Sequence, residues 1–140
     1  MRRPVTAKIY GPHFEDLART WCLNHAAEET LGGVASSVLP TEIACKEHRG
    51  GHELDIVVAE DRAGGRIAAI GEAKATSDLM GVGQLRRLEH LRSLLPSARI
   101  AQLPKLLLFS RSGFSAELAV AAAARPDVEL VALDRLYQGS

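Results

Sequence analysis

Aromatic side chains make up only 4% of the 140 residues, there are two cysteines, and 17 Lys+Arg balance 17 Asp+Glu, so the chain carries no excess charge. Each scarcity excludes something. Cys22 and Cys45 show no repeated spacing, which leaves no disulfide framework. Balanced charge excludes a basic coat over the whole surface and an acidic disordered tail, so any polyanion has to be held by a local patch. Basic residues are not interleaved with rings, and a platform stacking successive single-stranded bases is not expected. No apolar run approaches the roughly 20 residues of a membrane span. Nor does an apolar h-region follow Met1-Arg2-Arg3-Pro4. The expectation is a reducing, cytoplasmic location with no membrane partner.

What remains is ample for one globular unit. Hydrophobic residues are 46% of the chain, and a domain of this length buries roughly 68% of its unfolded surface without staples. A single domain over residues 1–140 is expected, with its core at about 11–137 and frayed ends at Met1 to Tyr10 and Gln138 to Ser140.

From Gly11, the residues Phe14, Leu17, Ala18, Trp21 and Cys22 share a helical face. Pro12 suits a first turn, Glu15 and Asp16 suit the positive end of the dipole, and Gly32-Gly33 suits the stop. Strands are expected at Glu42 to Lys46, His52 to Glu60 and Arg66 to Lys74, the last two forming a hairpin across Asp61 to Gly65. Leu85, Leu88, Leu91, Leu94 and Leu95 mark a helix from Gln84 that Pro96 closes. Lys105 to Phe109 and Val128 to Leu133 read as strands buried on both faces, and the helix between them from about Ser115 to Ala124 implies a parallel pair. The whole predicts an α/β fold with a mixed central sheet flanked by helices on both faces.

The chemistry gathers on the hairpin. Glu72 and Lys74 lie two apart on one strand and share a face. With a tight turn centred on Ala63-Gly64, Asp55 opposes Glu72 and Glu53 opposes Lys74, with facing Cβ atoms about 5 Å apart. Opposed carboxylates repel, and the relief is a proton, a cationic side chain or a divalent metal. Asp55, Glu72 and the backbone carbonyl of Ala73 would hold a hard cation such as Mg²⁺ with positions left open, and Lys74 would face the attacking water or the phosphate. The competing reading is a salt-bridged, solvated strand face.

Asp55 followed by Gly71-Glu72-Ala73-Lys74 resembles the PD-(D/E)xK nuclease superfamily. With Phe14 to Arg19, Glu53 to Val57 and Leu108 to Phe114, it is more specifically similar to the nuclease-like domain at the C-terminus of archaeal-type P-loop ATPases. Leu54 stands where the motif has proline, and the chain holds no GxxxxGK[ST] P-loop, so any ATPase would be a separate domain or protein. The resemblance implies a restriction-endonuclease-like fold and metal-dependent phosphodiester hydrolysis with Mg²⁺ or Mn²⁺, DNA being the expected polymer. It makes Asp55 and Glu72 metal ligands and Lys74 the catalytic lysine. It matches Glu15 to a first-helix glutamate near the metal, and Gln84 more loosely to a glutamine on the helix after the lysine strand. The alternative is a non-catalytic nuclease-like module that docks with or regulates an ATPase partner.

Other readings compete locally. Glu15 also suits a helix-start acid paired with Arg19, and Gln84 a polar residue near a helix start. Arg86, Arg87, His90, Arg92 and Arg99 form the one basic concentration, of which Arg86, Arg87 and Arg92 are the candidate phosphate contacts, the competing reading being a solvated helix face. Cys22 with His25 and Cys45 with His48 have Cys-x-x-His spacing, but Cys22 falls on the apolar stripe, where a buried thiol is the simpler reading. Gly81-Val82-Gly83 lacks the third glycine of a dinucleotide fingerprint. A homodimer would suit cleavage of both strands of a duplex.

Overall fold

The computed structural model describes residues 3–45, 50–60 and 65–138. Its sheet is built around β4 (Lys105–Ser110), whose Leu106, Leu107, Leu108 and Phe109 are fully buried and so need apolar neighbours on both faces. The order is β1 (Ser37–Cys45), β2 (Gly50–Ala59), β3 (Ile67–Lys74), β4, β5 (Val128–Ala132). The first three strands pair antiparallel and the last three parallel. The sheet is therefore mixed and the fold α/β, as expected from the alternation of strand and helix.

Two apolar clusters cover the two faces. On one, Phe14, Ala18 and Trp21 of α1 (Arg3–Asn24) pack with Leu31 of α2 (Glu28–Leu31), Leu136 of α5 (Leu133–Gln138) and the sheet residues Ile56, Val58, Leu107 and Phe109. On the other, Leu85, Leu88 and Leu91 of α3 (Val82–Ser93) and Leu118 of α4 (Ala116–Ala123) pack on Val57, Ile70, Leu106 and Leu108. Ser115 caps α4 by accepting the Leu118 N–H at 3.1 Å.

Several expectations need correction. The first helix begins at Arg3 and runs through Pro12, so Glu15 and Asp16 sit mid-helix and its first turn holds no acid. Proline keeps a helical φ, and its cost is one backbone N–H bond and a local bend. That helix ends at Asn24, and the left-handed Gly32 (φ 81°) closes the separate α2. The first strand starts at Ser37 rather than Glu42. The last is an edge strand with Glu129 and Leu130 half-exposed, and the chain beyond it turns into α5 where more strand and then fraying were expected. The turn centre Ala63-Gly64 and His48 lie outside the described residues. Cys22 is buried in the α1 cluster, and burial pushes its thiol up to about 12, as befits a core residue and not a zinc ligand.

One ion network ties α3 to the turn between α4 and β5. Asp127 accepts from Arg92 Nη1 at 3.0 Å and from Arg125 Nε and Nη2 at 3.1 and 2.8 Å, while Arg125 also pairs with Glu89. Hydrogen bonds from Arg125, then Arg92, hold the Asp127 carboxyl well below the ordinary range. A lowered pKa stabilises the fold above the unfolded value near 4 and is lost as pH falls below it. Asp127→Ala is therefore expected to lower stability by about 1.5–3 kcal/mol at neutral pH, and its deficit against wild type should shrink in chemical denaturation at progressively lower pH.

Candidate active site

The local cause of the site is a bulge in β2. Leu39 pairs with Val57 but Thr41 with Leu54, so Asp55 and Ile56 together stand opposite Pro40. Pro40 has no N–H to give to the ladder, which suits an edge strand beside an irregularity. The extra residue is also visible in the packing: Leu54 and Val57, three apart, join the α3-side cluster, whereas Ile56 and Val58 join the α1-side cluster.

Two bonds fix Asp55. Its Oδ2 accepts the Ala73 N–H at 2.9 Å, joining the bulge to β3 where the regular ladder has stopped at Ile56 and Gly71. Its backbone carbonyl accepts from Arg19 Nη1 at 2.8 Å, so α1 is stitched to the same residue. Arg19 also pairs with Asp16 at 2.5 Å and approaches Glu15 to 3.9 Å. The Glu15–Arg19 pair is thus present but is the longest of Arg19's contacts, and the bond to Asp55 is the one local sequence could not show.

Glu72 sits on the neighbouring strand, and Gly71 before it is dictated by crowding. A Cβ there would meet the Leu107 carbonyl oxygen at 2.9 Å. Ala73 packs against the α1-side cluster, so by alternation Glu72 and Lys74 project toward α3. Glu72 is 17% exposed and paired with Arg87 of α3, whose Nη2 also reaches the Glu53 carbonyl at 3.4 Å. Lys74 is half-buried and forms no ion pair among the described residues.

All three candidate carboxyls are pushed above their ordinary range. For Asp55 and Glu72 burial dominates; the Ala73 N–H opposes it at Asp55 and Arg87 opposes it at Glu72. Glu15 is raised by burial and then by the charge of Asp55. Burial is the largest cause at all three, and the arginines beside them offset it only in part.

The expected register holds at Ile56–Gly71, Val57–Ile70 and Val58–Ala69, which brings Asp55 and Glu72 together, but it slips by one toward the turn, where Ala59 faces Ile67 instead of Ala68. Glu53 needs correction: the β2–β3 pairing ends at Ile56 and Gly71, so Glu53 forms no ladder pair with Lys74; on the other edge of β2 it pairs with Glu42 of β1, and its charge acts on Asp55. Glu15 reaches the cluster from α1. Gln84 serves the start of α3, its Oε1 accepting the Gly81 N–H at 3.0 Å, which is the helix-start reading. Of the basic residues, Arg87 is at the site and Arg86 is exposed on the same helix. Arg92 is spent on Asp127 and on the Pro104 carbonyl at 2.9 Å.

No group of three His, Cys, Asp or Glu side chains among the described residues converges tightly enough to hold a metal ion. Two carboxylates and a carbonyl still fit Mg²⁺, which takes one or two carboxylates and keeps several waters. The donor chemistry of Asp55, Glu72 and Ala73, together with raised carboxyls that favour an added positive charge, is compatible with such an ion.

A raised carboxyl pKa costs stability once the group ionises, so replacing Asp55 with a neutral isostere that still accepts the Ala73 N–H should stabilise the fold. Asp55→Asn is expected to raise Tm by about 2–4 °C at pH 7, and the gain should vanish on acidification as wild-type Asp55 protonates. Comparison of the chain with protein-family models, with curated proteins and with solved structures found no match, so what this cluster does has to be argued from its own geometry.

Proposed function

We propose that the chain is a divalent-metal-dependent nuclease of the PD-(D/E)xK type, hydrolysing phosphodiester bonds in DNA on a restriction-endonuclease-like fold. The observation that carries this reading is the pairing of Asp55, at the β2 bulge, with Glu72-Ala73-Lys74 through the Ala73 N–H. It joins the residues of the motif at one end of the hairpin, with Glu15 electrostatically coupled to them from α1. Asp55, Glu72 and the Ala73 carbonyl would hold Mg²⁺ or Mn²⁺. When bound, such an ion polarises a phosphoryl oxygen and lowers the pKa of coordinated water.

The chain's own residues supply the rest. Lys74, without a carboxylate partner among the described residues, offers an ammonium to the charge that develops on the phosphate oxygens. Glu15, raised above its ordinary range by burial and then by the charge of Asp55, holds a proton more readily than a free carboxyl and faces the cluster from α1. Arg86, exposed on α3, adds positive charge for steering the backbone.

A second reading, a non-catalytic module docking with an ATPase partner, is favoured by one observation: the Arg87 guanidinium already neutralises Glu72. Cleavage and melting separate the two. In Mg²⁺ or Mn²⁺, wild type is expected to cut plasmid, single-stranded or branched DNA, and folded Lys74→Ala to lose about 10²-fold or more of that rate. The same ions should raise the Tm of wild type through ligand linkage and leave Asp55→Asn unmoved. Silence from both enzymes, with identical melting in metal, would transfer the assignment to the docking module.

A further inference from the structure

We propose that Arg87 is an exchangeable cation: it neutralises Glu72 in the metal-free protein, and passes to a phosphate oxygen of the substrate once a divalent cation has taken Glu72. The proposal rests on the nuclease reading and adds to it a coupling between metal and nucleic acid that one side chain carries.

A guanidinium already compensates the carboxylates that would ligate the ion. Arg87 Nη1 donates to Glu72 Oε1, and the same positive charge acts on Asp55, so one cation serves both residues. Burial raises the Glu72 carboxyl, and Arg87 is the strongest influence opposing it. A fixed positive charge repels a dication brought within a few ångströms of it. Arg87 and a divalent cation therefore compete for Glu72.

Apart from Glu72, the grip on Arg87 is light. Its side chain is 40% exposed, and its second contact, from Nη2 to the Glu53 carbonyl, is 3.4 Å long, beyond the usual range for an N–H···O bond. Arg92, five residues on along α3, is the contrast: 12% exposed, it is held by Asp127 at 3.0 Å and by the Pro104 carbonyl at 2.9 Å. Arg92 is fixed in the fold, whereas Arg87 can turn toward solvent by rotating its own side chain. The backbone around it need not move. Leu85, Leu88 and Leu91 anchor α3 in the core. The loops after β3 and β4 are stitched together, with the Arg111 N–H donating to the Lys74 carbonyl at 3.0 Å, the Met80 N–H to the Gly113 carbonyl at 3.0 Å and the Ser115 N–H to the Met80 carbonyl at 2.9 Å.

Freed from Glu72, the guanidinium remains on the side of the sheet toward which Lys74 projects, with the exposed Arg86 next to it on α3. Its planar fork of N–H donors matches a phosphate as well as a carboxylate. Metal and nucleic acid then assist each other: loss of Glu72 to the ion releases the arginine to the backbone, and a phosphate that holds the arginine leaves Glu72 to the ion. The Arg87–Glu72 pair is on this account the resting state of a nuclease, and no mark of an inactive one.

Two affinities test the exchange. Mn²⁺ binding to the full chain is followed by the loss of the free-ion EPR signal at about pH 8, so that the carboxyls are ionised, in wild type, Arg87→Gln, Arg87→Met and Asp55→Asn, each shown by melting to be folded. Both neutral Arg87 variants should bind Mn²⁺ on the order of 10-fold more tightly than wild type, and Asp55→Asn should lose it. DNA binding is measured in a Lys74→Ala background, which holds cleavage down, on whichever of a single-stranded and a duplex fluorescent oligonucleotide binds. There, adding Arg87→Gln should weaken binding by about 5-fold or more in Mn²⁺ and change little in chelator. Neutral variants that bind Mn²⁺ no better than wild type would overturn the exchange, as would equal DNA affinity in Mn²⁺ with and without Arg87. Failure of the nuclease reading is distinct from either. Lys74-dependent cleavage with no effect of Arg87 on Mn²⁺ would leave the nuclease reading standing alone, and tighter Mn²⁺ in the Arg87 variants without cleavage by wild type would leave the competition at Glu72 alone.

Discussion

The hydrogen bond from the Ala73 amide to the Asp55 carboxylate is the constraint around which the candidate site is organised. An ordinary ladder would have continued from Ile56 and Gly71 with backbone bonds. Here the bulge opposite Pro40 interrupts it, and a side-chain oxygen takes over the role of a carbonyl. The bulge also turns the Asp55 carbonyl toward α1, where Arg19 satisfies it. One displaced residue thereby locks three elements, and the carboxyls gather where the lock closes.

The cost of that arrangement falls on the charges. Burial raises Asp55, Glu72 and Glu15 together, and Arg87 and Arg19 compensate only in part. Elsewhere the same residue types are used for stability. Asp127, gripped by Arg92 and Arg125, is held low and fastens α3 to the turn that leads into β5. The contrast is between a cluster whose buried carboxyls are raised and one whose carboxyl is lowered by its arginines, so ionising the first opposes folding and ionising the second supports it.

Much of this was legible in the sequence because it is local. A β-branched run placed β2, a continuous apolar run placed β4, leucines at helical spacing placed α3, and antiparallel pairing of neighbouring strands set Asp55 beside Glu72. What was not legible depends on tertiary context. Nothing in the spacing of Glu53 announces a bulge two residues on, after which the β2–β3 ladder no longer reaches Lys74. Pro12 reads as a helix start by its own chemistry, yet α1 passes through it. Arg92 lies among basic neighbours and looks like a phosphate contact until Asp127, far along the chain, claims it. Arg19 matters through a helix packed across the sheet, and no window of sequence contains that crossing.

The stitched loops after β3 and β4 have a consequence for local motion. Loops are ordinarily the first segments to open, since their amides face water. Here the amides of Met80, Arg111 and Ser115 are bonded from one loop to the other, and Met80 bridges Phe114 in parallel fashion as if the two strands had not ended. Neither loop can lift without breaking the bonds of its partner. In hydrogen exchange, these amides belong with the central strands and open in the same cooperative unit.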